Sequence, residues 1–224
     1  MNGGALPETE ELSRLLLSHE QIAVVEAAIQ EIDERPDSYD LGFFWKLDSS
    51  IGGIGGYCML FDSTRNPFPG GIGRSLFRPL QYAAEEIDGN KSIYNNARWA
   101  VLSSGQHLEA ATKYVMKKRI PFPMRPIGLE KFTLGKSIHI LTEKDILPSN
   151  MVKPSGLFTE LYNKSKHDIN QDEERERLFA PADAFRSYIS ARIIGKRLLK
   201  RYYSEILQEV DPFLNGLNGL NMGI

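Results

Sequence analysis

Cysteine is almost absent from this 224-residue chain: Cys58 stands alone, which excludes an intrachain disulfide and a cysteine-built metal centre. Histidine is scarce as well. His19, His107, His139 and His167 show no His-x-x-x-His spacing of the kind that sets two ligands on one helix face. No uncharged apolar run approaches the ~18 residues needed to span a bilayer. Met1-Asn2-Gly3-Gly4 leads into the acidic Pro7-Glu8-Thr9-Glu10-Glu11, without the basic and apolar regions of a secretory signal. Neither sign of charge dominates. A formal net charge of −2 argues against wholesale attraction to nucleic acid or anionic membranes but leaves room for a local basic face. The expectation from these absences is a soluble, cytoplasmic protein with no metal or other cofactor and no membrane partner.

Two further chemistries lack their motifs. The glycines of Ile51-Gly52-Gly53-Ile54-Gly55-Gly56 precede no Gly-Lys-Ser/Thr, so a phosphate loop is not indicated. Gly-x-Ser-x-Gly, the nucleophile elbow of a serine hydrolase, does not occur.

What is present is ordinary globular material, 42% hydrophobic and 25% charged, with 10% aromatic residues. Apolar residues recur at helical rather than alternating intervals, which predicts an all-α protein. Leu12, Leu15, Leu16, Ile22, Val25, Ala28, Ile29 and Ile32 predict a first helix from Thr9 or Ser13 to about Glu34, ended by Arg35-Pro36-Asp37. The stretch from Tyr39 to Gly73 reads as irregular and Gly/Pro-rich. Helices follow over Arg74 to Asp88, with Pro79 as a kink or a start, and over Asn95 to about Arg119. In the latter, Ser104 and Gly105 allow a close neighbour, and His107 is expected to be packed and partly buried.

Prolines in Ile120-Pro121-Phe122-Pro123-Met124-Arg125-Pro126 interrupt regular structure, since each also restricts the residue before it. Helices on both sides carry apolar faces that need partners, which predicts one domain over 1–224. Thr133 opens a short helix in which His139, set in Ser137-Ile138-His139-Ile140, is expected in the core. The last helix runs from Pro181 to about Val210. Ala184, Tyr188, Ala191, Gly195, Leu198, Leu199, Tyr202 and Ile206 share its inner face. Opposite them lies a basic stripe, Arg186, Arg192, Lys196, Arg197 and Lys200, read as solvated surface. Ile189 and Ile193 inside it are the candidate partner-binding residues. The repeating Asn-Gly-Leu tail, 211–224, reads as flexible.

The stretch with most chemistry is Tyr162-Asn163-Lys164-Ser165-Lys166-His167-Asp168 at the end of a short helical pattern. Asn163 and His167 are four residues apart and share a helix face, beside two lysines and off the apolar stripe of Leu157, Phe158 and Leu161. The acidic run Asp168, Asp172, Glu173, Glu174 and Glu176 after it reads as solvated.

In order, Ser104-Gly105-Gln106-His107, Thr133-Leu134-Gly135-Lys136, Tyr162 to His167 and Ala191-Arg192-Ile193-Ile194-Gly195 resemble the HEPN superfamily of small helical bundles, over a core of about 93–210. The resemblance implies metal-independent RNA cleavage, with a His moving protons and an Arg stabilising phosphate charge at a homodimer interface. His167 takes the His position and Asn163 the polar position, so these two are the candidate catalytic residues. The positions for the Arg hold Glu160, Leu161 and Tyr162, and eight residues separate Arg98 from His107. Lys164, Lys166, Arg192 and Lys196 are the candidate RNA-binding residues, Arg192 as a substitute arginine in space. The expected function is contact with RNA, a nucleotide or a partner protein, in a toxin–antitoxin or antiviral defence setting, with a degenerate ribonuclease motif. The alternatives are an active endoribonuclease using His167 and a helical interaction module unrelated to nucleic acid.

Overall fold

The computed structural model describes residues 5–52, 54, 71–88, 93–166 and 179–209. His167 with the acidic run after it, most of the Gly-rich segment and the 211–224 tail lie outside the described residues. Those described are helical, with no strand among them. The helices are α1 (Pro7–Leu16), α2 (His19–Glu34), α3 (Gly42–Ile51), α4 (Gly71–Asp88), α5 (Ile93–Arg119), α6 (Leu134–Glu143), α7 (Ser149–Lys166), α8 (Pro181–Leu199) and α9 (Tyr203–Glu209). Three single 3-10 turns lie at Phe122–Met124, Leu129–Lys131 and Lys200–Tyr202.

Helix α8 is the axis of the structure. Every residue from Pro181 to Gly195 is buried, because α1, α2, α3, α4, α5 and α7 all pack on it. Its N-terminus is fixed by Asp183, whose carboxylate accepts from Ala180 N at 2.8 Å, from Leu6 N at 2.8 Å and from Thr9 Oγ1 at 2.8 Å. One cap thus joins the start of α1 to the start of α8. Burial raises the pKa of Asp183, against the lowering pull of those hydrogen bonds and of Arg186.

This packing overturns the reading of α8's basic stripe as solvated surface for Arg186 and Arg192, and in part for Lys196, whereas Arg197 and Lys200 are exposed. Arg186 reaches Glu26 of α2 at 2.8 Å, and Arg192 pairs with Asp48 of α3 at 2.6 Å. Lys196 donates to the Ile51 carbonyl, and Arg192 Nη1 to the Ile54 carbonyl at 2.7 Å. Two cations one turn apart therefore meet the C-terminal end of α3, where unsatisfied carbonyls concentrate negative charge. Ile189 at 0% exposure and Ile193 at 8% belong to the core rather than to a partner surface. Periodicity marked one apolar face correctly but left the opposite face open to two readings, because surface cations and cations facing another helix end are spelled alike.

Other expectations also change. The predicted first helix is two helices, since Ser18 and Gln21 form a capping box that starts α2 after Leu17. Phe43-Phe44-Trp45 lies in α3, not in an irregular stretch, and stacks on α8: Phe44 meets Phe185 edge-on at 4.7 Å and Trp45 meets Tyr188 at 5.8 Å. The last helix breaks at Leu199 rather than running to about Val210. Pro79 sits inside a continuous α4. His139 is exposed and 3.3 Å from Glu143, because Leu134, Ile138 and Leu141 take the inward positions of α6.

Two glycines set the crossings of α5. A Cβ on Gly195 would stand 2.1 Å from His107 Nε2, and one on Gly105 would stand 2.0 Å from Tyr162 Cδ2. Tyr162 is 2% exposed and has no room to retreat. Gly105→Ala is expected to destabilise by about 1–3 kcal/mol although Ala is the better helix former. Urea denaturation checks this; stability equal to wild type would mean that the tyrosine ring can move aside.

Candidate functional site

Where α5 and α7 lie side by side, they gather the conspicuous polar side chains of the C-terminal half. Tyr162, at the position where the resemblance expects an arginine, is buried against Gly105. Burial first, then the Glu109 charge, pushes the pKa of its phenol above the ordinary range. Lys166 lies over the Tyr162 ring at 3.9 Å from its centre and donates to Glu109 Oε2 at 3.1 Å. Lys113 donates to Glu109 Oε1 at 2.9 Å. Burial favours protonation of Glu109, but the two lysines outweigh it and hold its pKa below the ordinary value.

The candidate cations are thus engaged within the fold. Lys166 is held by Glu109, Lys164 forms an ion pair with Glu8 of α1, and Arg192 and Lys196 grip the end of α3. Arg192 is 2% exposed, so it neither contacts RNA nor replaces the missing arginine from a surface. Its desolvation is offset by pairing with Asp48, a structural role that no local spacing announces. Asn163 is exposed on α7. His167, the other candidate catalytic residue, lies outside the described residues.

Sequence reasoning set Arg98 aside for its spacing from His107 and passed over Trp99. Arg98 sits in the first turns of α5, and its Nε donates to the Ser165 carbonyl of α7 at 2.9 Å. That bond sets a guanidinium at the end of α7, two residues before His167 in sequence. The indole of Trp99 is 50% exposed, with the Arg98 guanidinium carbon 5.7 Å from its ring centre. Tyr94, one turn earlier and 40% exposed, is held by a 2.7 Å bond to Asp33 of α2, which raises its pKa to about 12. The signal available in sequence was an Arg-Trp pair on a helix otherwise rich in alanine. Nothing there tied it to the His167 segment 67 residues later.

Chemically, this junction offers an aromatic platform, a planar cation and an exposed amide. A nucleobase can stack on the first, and phosphate oxygens can accept from the second. Among the described residues no group of three or more His, Cys, Asp or Glu side chains could hold a metal ion, and no helix is long and apolar enough to cross a membrane. Comparison of the chain with family models, with curated proteins and with solved structures finds no match.

Proposed function

We propose that this chain is a HEPN-like helical protein that works by contacting single-stranded RNA at the α5–α7 junction, not through the superfamily's complete Arg–His motif. The observation that carries the reading is the Arg98–Trp99 pair: a half-exposed indole beside a guanidinium fixed against the end of α7. Stacking on an exposed aromatic is tolerant of sequence, and an adjacent cation adds phosphate attraction. The internal engagement of Lys164, Lys166, Arg192 and Lys196 restricts the surface on offer, which favours a short contact over a long electrostatic groove. By analogy with the superfamily, such a contact suits a toxin–antitoxin or antiviral defence setting.

The test is fluorescence anisotropy with a labelled single-stranded RNA across a salt series. Wild type is expected to bind with affinity falling as salt rises. Trp99→Ala and Arg98→Ala are each expected to weaken binding roughly tenfold, the scale of one lost base stack or one charged contact. Binding that is absent, or equal in all three proteins, would sink the proposal. The same RNA, followed for cleavage without added metal, separates the catalytic alternative. Cleavage lost in both His167→Ala and Arg98→Ala would make Arg98 the spatial replacement for the arginine that Tyr162 displaces, and the protein an active ribonuclease.

A further inference from the structure

The opposite end of α5 carries a different surface. Lys117 is about 30 Å along the helix from Arg98, at ~1.5 Å rise per residue. Beyond it the chain turns through the proline-rich loop, and there Phe122 is 80% exposed, Met124 65% and Ile127 99%. Other exposed large apolar side chains are scattered singly over the surface, as is normal. Three within six residues form a cluster that calls for an occupant.

The loop is held in shape with these side chains outward. Arg125 donates from Nε to the Ile120 carbonyl at 2.8 Å and from its Nη2 to the Lys117 carbonyl, clamping the loop to the end of α5. Its guanidinium carbon also lies 5.8 Å from the centre of the Phe122 ring. Met124 N donates to the Pro121 carbonyl at 2.9 Å and Arg125 N to the Phe122 carbonyl at 3.2 Å. Pro121, Pro123 and Pro126 have no N–H to satisfy. A backbone that leaves water in this state orphans few donors, which is the demand a hydrocarbon boundary makes.

Around the apolar cluster stand cations. Lys117, Lys118 and Arg119 form the last turn of α5, and Arg125 and Lys131 lie on the segment that follows. Glu130 pairs with Lys117 and Glu205 with Lys118. Arg119 and Lys131 are exposed and make no ion pair with a described residue. In a chain of net charge −2 this excess of positive charge is local. Cations at a helix C-terminus have a structural use, but that use does not explain outward-facing Phe, Met and Ile beside them.

We propose that the 121–127 loop is a contact for an anionic lipid surface, with Phe122, Met124 and Ile127 entering the interface while the cations around the end of α5 meet headgroup phosphates. The contact is peripheral and adds a membrane partner that net charge and hydropathy did not lead one to expect. It stands independently of the RNA reading, because it uses the other end of α5.

The test is flotation of the full chain with phosphatidylcholine vesicles, with and without phosphatidylglycerol. Wild type is expected to float with the anionic vesicles preferentially. Combined Phe122→Ser, Met124→Ser and Ile127→Ser substitutions are expected to weaken partition roughly a thousandfold, since each large apolar side chain leaving water contributes a factor of about ten. Arg119→Glu with Lys131→Glu is expected to remove the preference for phosphatidylglycerol, weakening partition roughly tenfold. All these side chains are exposed, so an unchanged melting temperature verifies the fold. Failure of wild type to float, or equal flotation of the triple-serine variant, overturns the proposal. So does loss in that variant of self-association by sedimentation, or of RNA binding, without vesicle binding in wild type; the occupant would then be a second copy or a nucleic acid.

Discussion

Asp48→Asn is expected to lower the stability of the protein by about 3–5 kcal/mol, although it changes one atom of one side chain. Asp48 is fully buried and Arg192 nearly so, with Arg192 Nε 2.6 Å from Asp48 Oδ1. Burial alone would disfavour the guanidinium charge, but Asp48 outweighs it and the pKa of Arg192 rises above its ordinary value. A guanidinium does not escape a dry site by losing its proton, so removing the carboxylate charge strands a cation in the core. The effect should depend on the charge, not on the shape. Asp48→Leu combined with Arg192→Met is therefore expected to recover most of the loss, limited by the Ile54 carbonyl that Arg192 no longer serves. Urea midpoints of wild type, single and double variants decide it. A single variant within about 1 kcal/mol of wild type would mean that the pair is not what holds α3 to α8.

That pair also marks where reading the sequence stops. Helical periodicity located α4, α5 and α8 because each presents an apolar stripe of several turns. Ser18 is a good cap in hindsight, yet Leu16, Leu17 and Ile22 keep the apolar rhythm alive through it, so the α1–α2 break passed unseen. For α3, the aromatic run lacked a polar face to give it phase, and the glycines after it argued for irregular backbone. The candidate site was legible only as a segment. Tyr162, Asn163 and Lys166 share α7, and their grouping follows from spacing. Arg98, Trp99 and Glu109 join them through a helix crossing set by Gly105, a long-range fact that spacing does not encode. The resemblance to HEPN proteins directed attention to an arginine near His167, and the arginine that reaches the end of α7 is Arg98, not Arg192.

The second glycine crossing leads to an expected loss of stability in mild acid. His107 is 1% exposed, its ring 5.5 Å from that of Phe77, and its Nδ1 donates to the Leu76 carbonyl at 2.6 Å. Burial, aided by the nearby Arg192 charge and opposed by the Leu76 bond, lowers its pKa to about 4. The folded protein therefore keeps His107 neutral at pH values where the unfolded chain protonates it near 6.5. The sign follows: stability from this group is complete above about pH 6.5, falls as pH drops, and is exhausted near pH 4. A displacement of that size corresponds to about 3 kcal/mol. Glu109, with its pKa held low, loses its own contribution only at the acid end of that window, and Asp183, with its pKa raised, acts in the opposite sense. Among the carboxylates with displaced pKa values, Asp183 and Glu85 are raised and so oppose the loss, which leaves His107 as the displaced group that lowers stability as pH falls from about 6.5. His107→Gln keeps an amide donor for Leu76 and removes the titration. It is expected to be less stable than wild type at pH 7.5 yet free of that loss as pH falls. Urea unfolding at half-unit pH steps distinguishes the cases. An equal slope in wild type and variant would mean that another group governs the acid response and that His107 is not the buried proton acceptor of the α5–α8 crossing.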